Sequence, residues 1–228
     1  MRRHELPSTS AKKKASFITQ VSNVAAPVPI QRVEAAASRR PVTAATTCKS
    51  LISCHPLSRT RPMLVLDLDE TLVHASLEQV PHDTAFVVEI GNQKISVFLR
   101  IRPYCVEFLR RMGQLFEVVL FTASLAPYAE QVIDLLDPLG VHIHHRLFRD
   151  HCTLVDGNYV KDLALLGRSM ERICIVDNSP AAYAFHPRNA LPIRSWFDDP
   201  DDVELLKICP TLEQFARTCD VYATPLLS

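Results

Sequence analysis

LVLDLDETLVH, residues 64–74, decides the fold. Leu64, Val65 and Leu66 form an aliphatic run that does not alternate with polar residues, the mark of a strand buried on both faces in a helix-covered parallel sheet. Directly behind it, Asp67, Asp69 and Glu70 crowd three acids into four positions. Like charges gathered at a buried strand end repel one another unless a cation or a bound group compensates them.

Three further runs have the same character: EVVLFT at 117–122, RICIVD at 172–177 and ALPI at 190–193. Helical spacing fills the gaps between them. Pro103 sits where a first turn would start, and Val106, Leu109, Met112 and Phe116 follow at intervals of three or four. Tyr128, Val132, Leu135, Leu136 and Leu139 form a second stripe that stops at Gly140. Strand and helix in alternation predict an α/β fold, a Rossmann-like doubly wound parallel sheet with helices on both faces. One segment departs from that rhythm. FVVEIGNQKISVFLR, residues 86–100, reads as two β-rich runs around Gly91-Asn92, a small antiparallel β insertion between the first strand and the first helix. Near the C-terminus, Thr211 is the expected N-cap of a helix that turns Leu212, Phe215 and Ala216 inward. The acidic FDDPDDVE, 197–204, is expected to be a solvated loop leading into it.

The formal charge of zero conceals an asymmetry: residues 1–60 hold ten of the 25 Lys and Arg but only Glu5 and Glu34 of the 25 Asp and Glu. That basic segment lacks Gly, Tyr and Trp and shows no sustained period, so it is expected to be a disordered tail, with the folded domain spanning 61–228. Lys12, Lys13 and Lys14 leave three readings open: a nuclear-import patch, part of an organelle transit peptide, or a solvated charge run. Seven scattered Cys without paired spacing fit reduced thiols and an intracellular setting, nuclear before cytoplasmic. Apolar runs of four to five residues are too short for a membrane span. His142, His144, His145 and His151 match no zinc spacing and are expected to be loop residues. His74 is expected to pack beside the site rather than to take part in the chemistry.

Polar reactive residues close three of the four runs: Asp67 with Asp69 and Thr71, Thr122 with Ser124, and Asp177 with Asn178 and Ser179. In an open parallel sheet ligands bind beyond the carboxyl ends of the strands, so these groups should converge. Two carboxylates and an amide meeting there suit a hard, oxygen-bound cation such as magnesium. A carboxylate beside such an ion can attack a phosphoryl group, and a second one two residues on can protonate the leaving oxygen. Thr122 offers a hydroxyl and Lys161 a compact cation for the phosphoryl oxygens. The absence of a Walker-type glycine loop argues against a nucleotide as phosphate donor.

DLDETLVH, LFTASLAPYA, GNYVKDL and VDNSPAAYAFHPRNALPIRSWFDDPDD together resemble the haloacid dehalogenase superfamily, and within it the small C-terminal-domain phosphatases, the FCP-homology or NIF-type domain. The match runs in order from about Met63 to Val221. It implies a Mg2+-dependent protein serine/threonine phosphatase, with Asp67 as the nucleophile that is phosphorylated and Asp69 as general acid and then base. Thr122 and Lys161 would hold the phosphate. The metal ligands would be Asp67, the main-chain carbonyl of Asp69 and Asn178, with Asp177 joining through water, while Thr71 fixes the loop. Leu77, Leu125, Tyr128 and Arg149 fall at substrate-binding positions. The family's best-known substrate is the heptad-repeat tail of RNA polymerase II, and members that prefer it commonly carry an aromatic residue where this chain has Leu77. A phosphorylated protein is therefore the expected partner, with no direct nucleic-acid contact and a monomeric state. Two alternatives stand beside this reading: a non-catalytic phosphoprotein-binding scaffold and a phosphatase of small metabolites.

Overall fold

The computed structural model describes residues 50–53 and 55–224. The chain runs β1 (Met63–Leu66), β2 (Val73–Ser76), β3 (Thr84–Ile90), β4 (Gln93–Ile101), α1 (Cys105–Leu115), β5 (Glu117–Phe121), α2 (Ala126–Leu136), β6 (His145–Leu147), β7 (Thr153–Val155), β8 (Asn158–Val160), β9 (Ile173–Asp177), β10 (Ala190–Pro192) and α3 (Glu204–Thr218). Five strands form a parallel sheet in the order β10-β9-β1-β5-β6. β1 lies at its centre, with β5, the next strand of this sheet in sequence, on one side and the later β9 on the other. The order therefore reverses at the carboxyl end of β1, where Asp67 stands and where open sheets of this kind leave a crevice.

Successive residues of β1 point to opposite faces. Leu64 and Leu66 join the core beneath α1, α2 and α3, whereas Met63 and Val65 join a second core with Val119, Phe121, Ile173 and Ile175. That second face is covered by the 3-10 turn Leu163–Leu166 and by Leu51 and Ile52, so helical cover lies on both sides, α on one and 3-10 on the other. Contacts with the body begin before the expected domain start at 61. From Ser50 the described chain packs on the body: Leu51 N–H donates to Leu165 O, Ile52 is buried, and Ser58 Oγ donates to Glu117. Ile52 and the bonds to Leu165 and Glu117 anchor this stretch, although nothing in its local periodicity marks it. The rest of the expected tail, including Lys12–Lys14 and Cys48, lies outside the described residues, as does Cys54.

The antiparallel insertion is present and larger than expected. β3 and β4 pair through a two-residue turn at Gly91 (φ +61°) and Asn92, and β2 adds a third strand, giving the order β2-β4-β3. Two helical stripes are corrected at their edges. Val106 is 55% exposed because α1 buries Cys105, Phe108, Leu109 and Met112 instead. Leu135 and Leu139 also face solvent, since α2 ends at Leu136 and turns Tyr128, Ala129, Val132 and Ile133 inward. The last helix starts at Glu204, well before Thr211, and carries Pro210 in its interior. Leu205, Ile208 and Cys209 extend the buried stripe of Leu212 and Phe215, and the packing of two extra turns outweighs the roughly 3 kcal/mol that an interior proline costs.

Candidate active site

β1, β5 and β9 deliver their carboxyl ends to one cleft of about 630 Å³, lined among others by Asp67, Asp69, Lys161, Asp177 and Asn178. Lys161 arrives by a separate route. β7 and β8 form a hairpin whose turn, Asp156 and Gly157, has positive φ at both positions, the signature of a type I′ turn. Just past β8, Lys161 N–H donates to Ala182 O and the side chain enters the floor of the cleft. The sequence reading missed this hairpin, although an Asp-Gly pair between two short β-rich runs was an available signal.

Lys161 Nζ lies 2.6 Å from both Asp67 Oδ1 and Asp177 Oδ2, and all three side chains are almost fully buried. Burial opposes the charge on Lys161, but the two carboxylates outweigh it and hold the ammonium above its ordinary range. Asp177 is pushed up to about 6 by burial, against the pull of Lys161. Its other oxygen accepts from Ser179 N–H at 2.8 Å. Both oxygens of Asp177 are thus engaged.

Thr71 Oγ1 is 2.8 Å from Asp67 Oδ2 and 3.3 Å from Asn178 Oδ1. One hydroxyl has a single proton to give, so at least one of those oxygens keeps a lone pair for another partner. Asn178 Nδ2 donates to Ser195 Oγ at 2.8 Å, which leaves its carbonyl oxygen facing the Thr71 hydroxyl. Among the described residues no three His, Cys, Asp or Glu side chains gather as a ligand set. The available donors are one carboxylate oxygen, one amide oxygen and main-chain carbonyls. That mixture fits a hard cation that retains several waters.

Asp69 has a different environment. Ser124 Oγ donates to its Oδ2 at 2.7 Å and Tyr128 Oη to its Oδ1 at 2.6 Å, with Thr122 Oγ1 at 3.5 Å. Burial first, and the charge of Glu70 second, raise Asp69 to about 7 despite these donors. Glu70 (φ +61°) makes the sharp turn after the acids, and its side chain meets His74 Nδ1 at 3.1 Å. His74 is therefore packed and hydrogen-bonded, as expected.

The residues expected to touch substrate separate into two groups. Arg149 reaches the cleft mouth: Nε donates to Ala123 O, and its guanidinium lies 5.1 Å over the ring of Tyr159, both cleft-lining residues. Its Nη2 is the one buried side-chain polar atom among the described residues without a hydrogen-bond partner. Leu77 and Leu125 pack as half-buried residues against the main core. Tyr128 is fully buried, its hydroxyl committed to Asp69 and its ring stacked on Phe86 at 6.4 Å. Thr122 is buried as well and accepts from Ser124 N–H.

Sequence reasoning missed Ser195 as the holder of Asn178. It also missed Arg102, which is fully buried, donates to Thr71 O and forms a two-bond pair with Asp202 at 2.7 and 2.9 Å. Asp202 belongs to the stretch expected to be solvated; it also accepts from Glu204 N–H where α3 begins. A cationic residue inside the apolar context of β4 and Pro103 was the available hint for Arg102.

Residues 62–222 match the model of the family described as NLI interacting factor-like phosphatase. Over 161 residues the chain is 55% identical to the human CTD small phosphatase-like protein, covering 70% of this chain and 58% of that one. It is 53% identical, also over 161 residues, to the human carboxy-terminal domain RNA polymerase II polypeptide A small phosphatase 1, covering 70% of this chain and 61% of the relative. The chain therefore spans about three-fifths of the length of these curated relatives. Among solved structures, Fcp1, described as an essential RNA polymerase II CTD phosphatase, superimposes with a TM-score of 0.53 at 18% identity, over 72% of this chain and 52% of that one. The shared α/β fold is what that likeness carries. Phosphatases of this family are in general metal-dependent. No helix among the described residues is long and apolar enough to cross a membrane.

Proposed function

The chain belongs to the NLI interacting factor-like phosphatase family, and we propose that it is a protein serine/threonine phosphatase working through a phosphorylated Asp67. The observation that carries this reading is the setting of Asp67, bound by Lys161 and Thr71 at the floor of an open cleft with Asp69 two residues away. Asp67 attacks phosphorus, the ester P–O bond breaks, and its electron pair leaves on the seryl or threonyl oxygen, which takes the proton of the Asp69 carboxyl. Asp69, now ionised, removes a proton from water as that water attacks phosphorus. The bond to Asp67 then breaks and inorganic phosphate leaves. A carboxyl raised to about 7 is largely protonated in mild acid and still partly so at neutral pH, as the first step requires.

Lys161 compensates charge on the phosphoryl oxygens, and Thr122 offers them a hydroxyl. Asp67, the Asp69 carbonyl and Asn178 would hold Mg2+, with Asp177 joining through water, and the ion would supply further charge neutralisation there. An open cleft suits a phosphorylated protein segment better than a small metabolite, which needs enclosure. The names of the relatives make the RNA polymerase II C-terminal domain the first substrate to test, with a nuclear and monomeric protein as the accompanying reading.

Phosphate release from a heptad-repeat phosphoserine peptide and from an unrelated phosphopeptide, each with Mg2+ and with EDTA, tests the proposal. Expected is Mg2+-dependent release that Asp67→Asn abolishes while its circular dichroism stays native. Turnover by Asp67→Asn would overturn the mechanism. Binding of phosphopeptide by the wild type without any release would favour a scaffold, and faster release from sugar phosphates than from peptides would reassign the substrate class.

A further inference from the structure

Asp69 is the one site carboxylate whose two oxygens are both held by neutral hydroxyls, and the two short bonds come from the start of α2, Ser124 just before it and Tyr128 one turn later, with Thr122 Oγ1 a longer third contact at 3.5 Å. Distances of 2.7 and 2.6 Å fall at the short end for O–H donors on a carboxyl group. Such bonds fix a plane as well as a position. The tyrosine is itself immobilised, with 0% of its surface exposed and its ring stacked on Phe86 of β3.

We infer that Tyr128 and Ser124 are positioning residues for Asp69, a hydroxyl clamp that aims the carboxyl at the leaving oxygen and then at the attacking water. The inference rests on the phosphatase reading above and reassigns Tyr128 within it. The geometry suits the task. A carboxyl free to rotate about its two side-chain torsions would spend much of its time misaligned, whereas two bonds from one rigid helix start leave it a single orientation. Neutral donors also favour the ionised carboxylate less than a lysine or arginine in their place would, so the proton can still be given up and taken back. Asp67, paired with Lys161, shows that opposite arrangement.

The test compares Tyr128→Phe, Ser124→Ala and Asp69→Asn with wild type, on a phosphoserine peptide and on p-nitrophenyl phosphate, with Mg2+ present. Alkoxide departure needs a proton and nitrophenolate departure does not, while both routes need the base for the second step. Tyr128→Phe is expected to lower kcat on the peptide roughly tenfold or more with KM unchanged. On the aryl phosphate it should give a burst of about one nitrophenolate per enzyme followed by slow turnover, because the phosphorylated enzyme accumulates. Ser124→Ala should do the same more weakly. Neither change should slow Asp69→Asn further. As a measurement apart from catalysis, urea unfolding of the metal-free proteins should show Tyr128→Phe costing less in the Asp69→Asn background than in wild type. Raised KM at constant kcat would make Tyr128 a substrate contact and overturn the inference, as would equal loss on both substrates without a burst. A wild-type protein inactive on both substrates would instead sink the phosphatase reading itself.

Discussion

The two ends of the central sheet bury acids in opposite ways. At the carboxyl end, Asp177 shares Lys161 with Asp67 while Asp69 has only hydroxyls, and burial outweighs the donors of both Asp69, which rises to about 7, and Asp177, which rises to about 6. At the amino end a single acid, Glu117 at the start of β5, accepts from His145 at 2.8 Å, Arg168 at 2.9 Å and Ser58 at 3.1 Å. Burial also opposes the charge of Glu117, yet these donors overcome it and bring the carboxyl down to about 2. A buried acid with its donors complete ties elements together, here the 50–60 segment, β6 and the loop before β9. Buried acids whose donors are neutral or shared keep strong proton affinity, and perturbed acids of that kind in a cleft are candidates for chemistry.

Lys161→Met should give the largest effect, because it leaves Asp67 and Asp177 buried without their shared cation. Phosphate release is expected to fall roughly 10³-fold, and stability at neutral pH by about 3 kcal/mol, partly recovered in acid as a carboxyl takes up a proton. Steady-state assays and urea unfolding at two pH values check this; a stable, active variant would erase the contrast. Glu117→Gln should spare activity per folded molecule and cost about 2 kcal/mol in urea unfolding, since Arg168 loses its charged partner but the amide still accepts.

The pH dependence should separate the two ends more finely. Glu117 is lowered when folded, so its contribution is fully present above its ordinary 4.5 and is lost as the pH falls toward 2. Asp69 and Asp177 are raised, so the folded state binds the extra protons and their ionisation removes stability as pH rises from about 4 to about 7. Unfolding in EDTA should therefore show greatest stability in mild acid, and Glu117→Gln should flatten only the acid limb. The smallest effect is expected at Leu139, 83% exposed: Leu139→Ser should stay within about 0.5 kcal/mol, and a larger loss would restore the helix stripe read from periodicity.

Four strands of the main sheet were legible because a non-alternating aliphatic run carries its meaning within five or six residues, and so was the hairpin turn at Gly91-Asn92. β6, β7 and β8 were not, because His-Arg-Leu, Thr-Leu-Val and Asn-Tyr-Val form no aliphatic run. Helix edges blurred for a related reason. Spacing alone does not say whether Val106 or Cys105 faces the sheet, because both fit a stripe and only the partner surface chooses. The acids, Thr122, Lys161 and Asn178 were legible as a set, since polar groups closing buried strands have one common destination in an open sheet.

By itself, then, the sequence determined which strands are buried and which reactive groups stand at their carboxyl ends, because both are written in local order. Only the tertiary structure decided who neutralises whom. Lys161 reaches Asp67 across 94 positions, Arg102 reaches Asp202 across 100, and Tyr128 reaches Asp69 across 59. Such pairings depend on crossovers that bring distant segments to one end of the sheet, and on desolvation there, which turns ordinary carboxylates into groups that compete for every donor within reach.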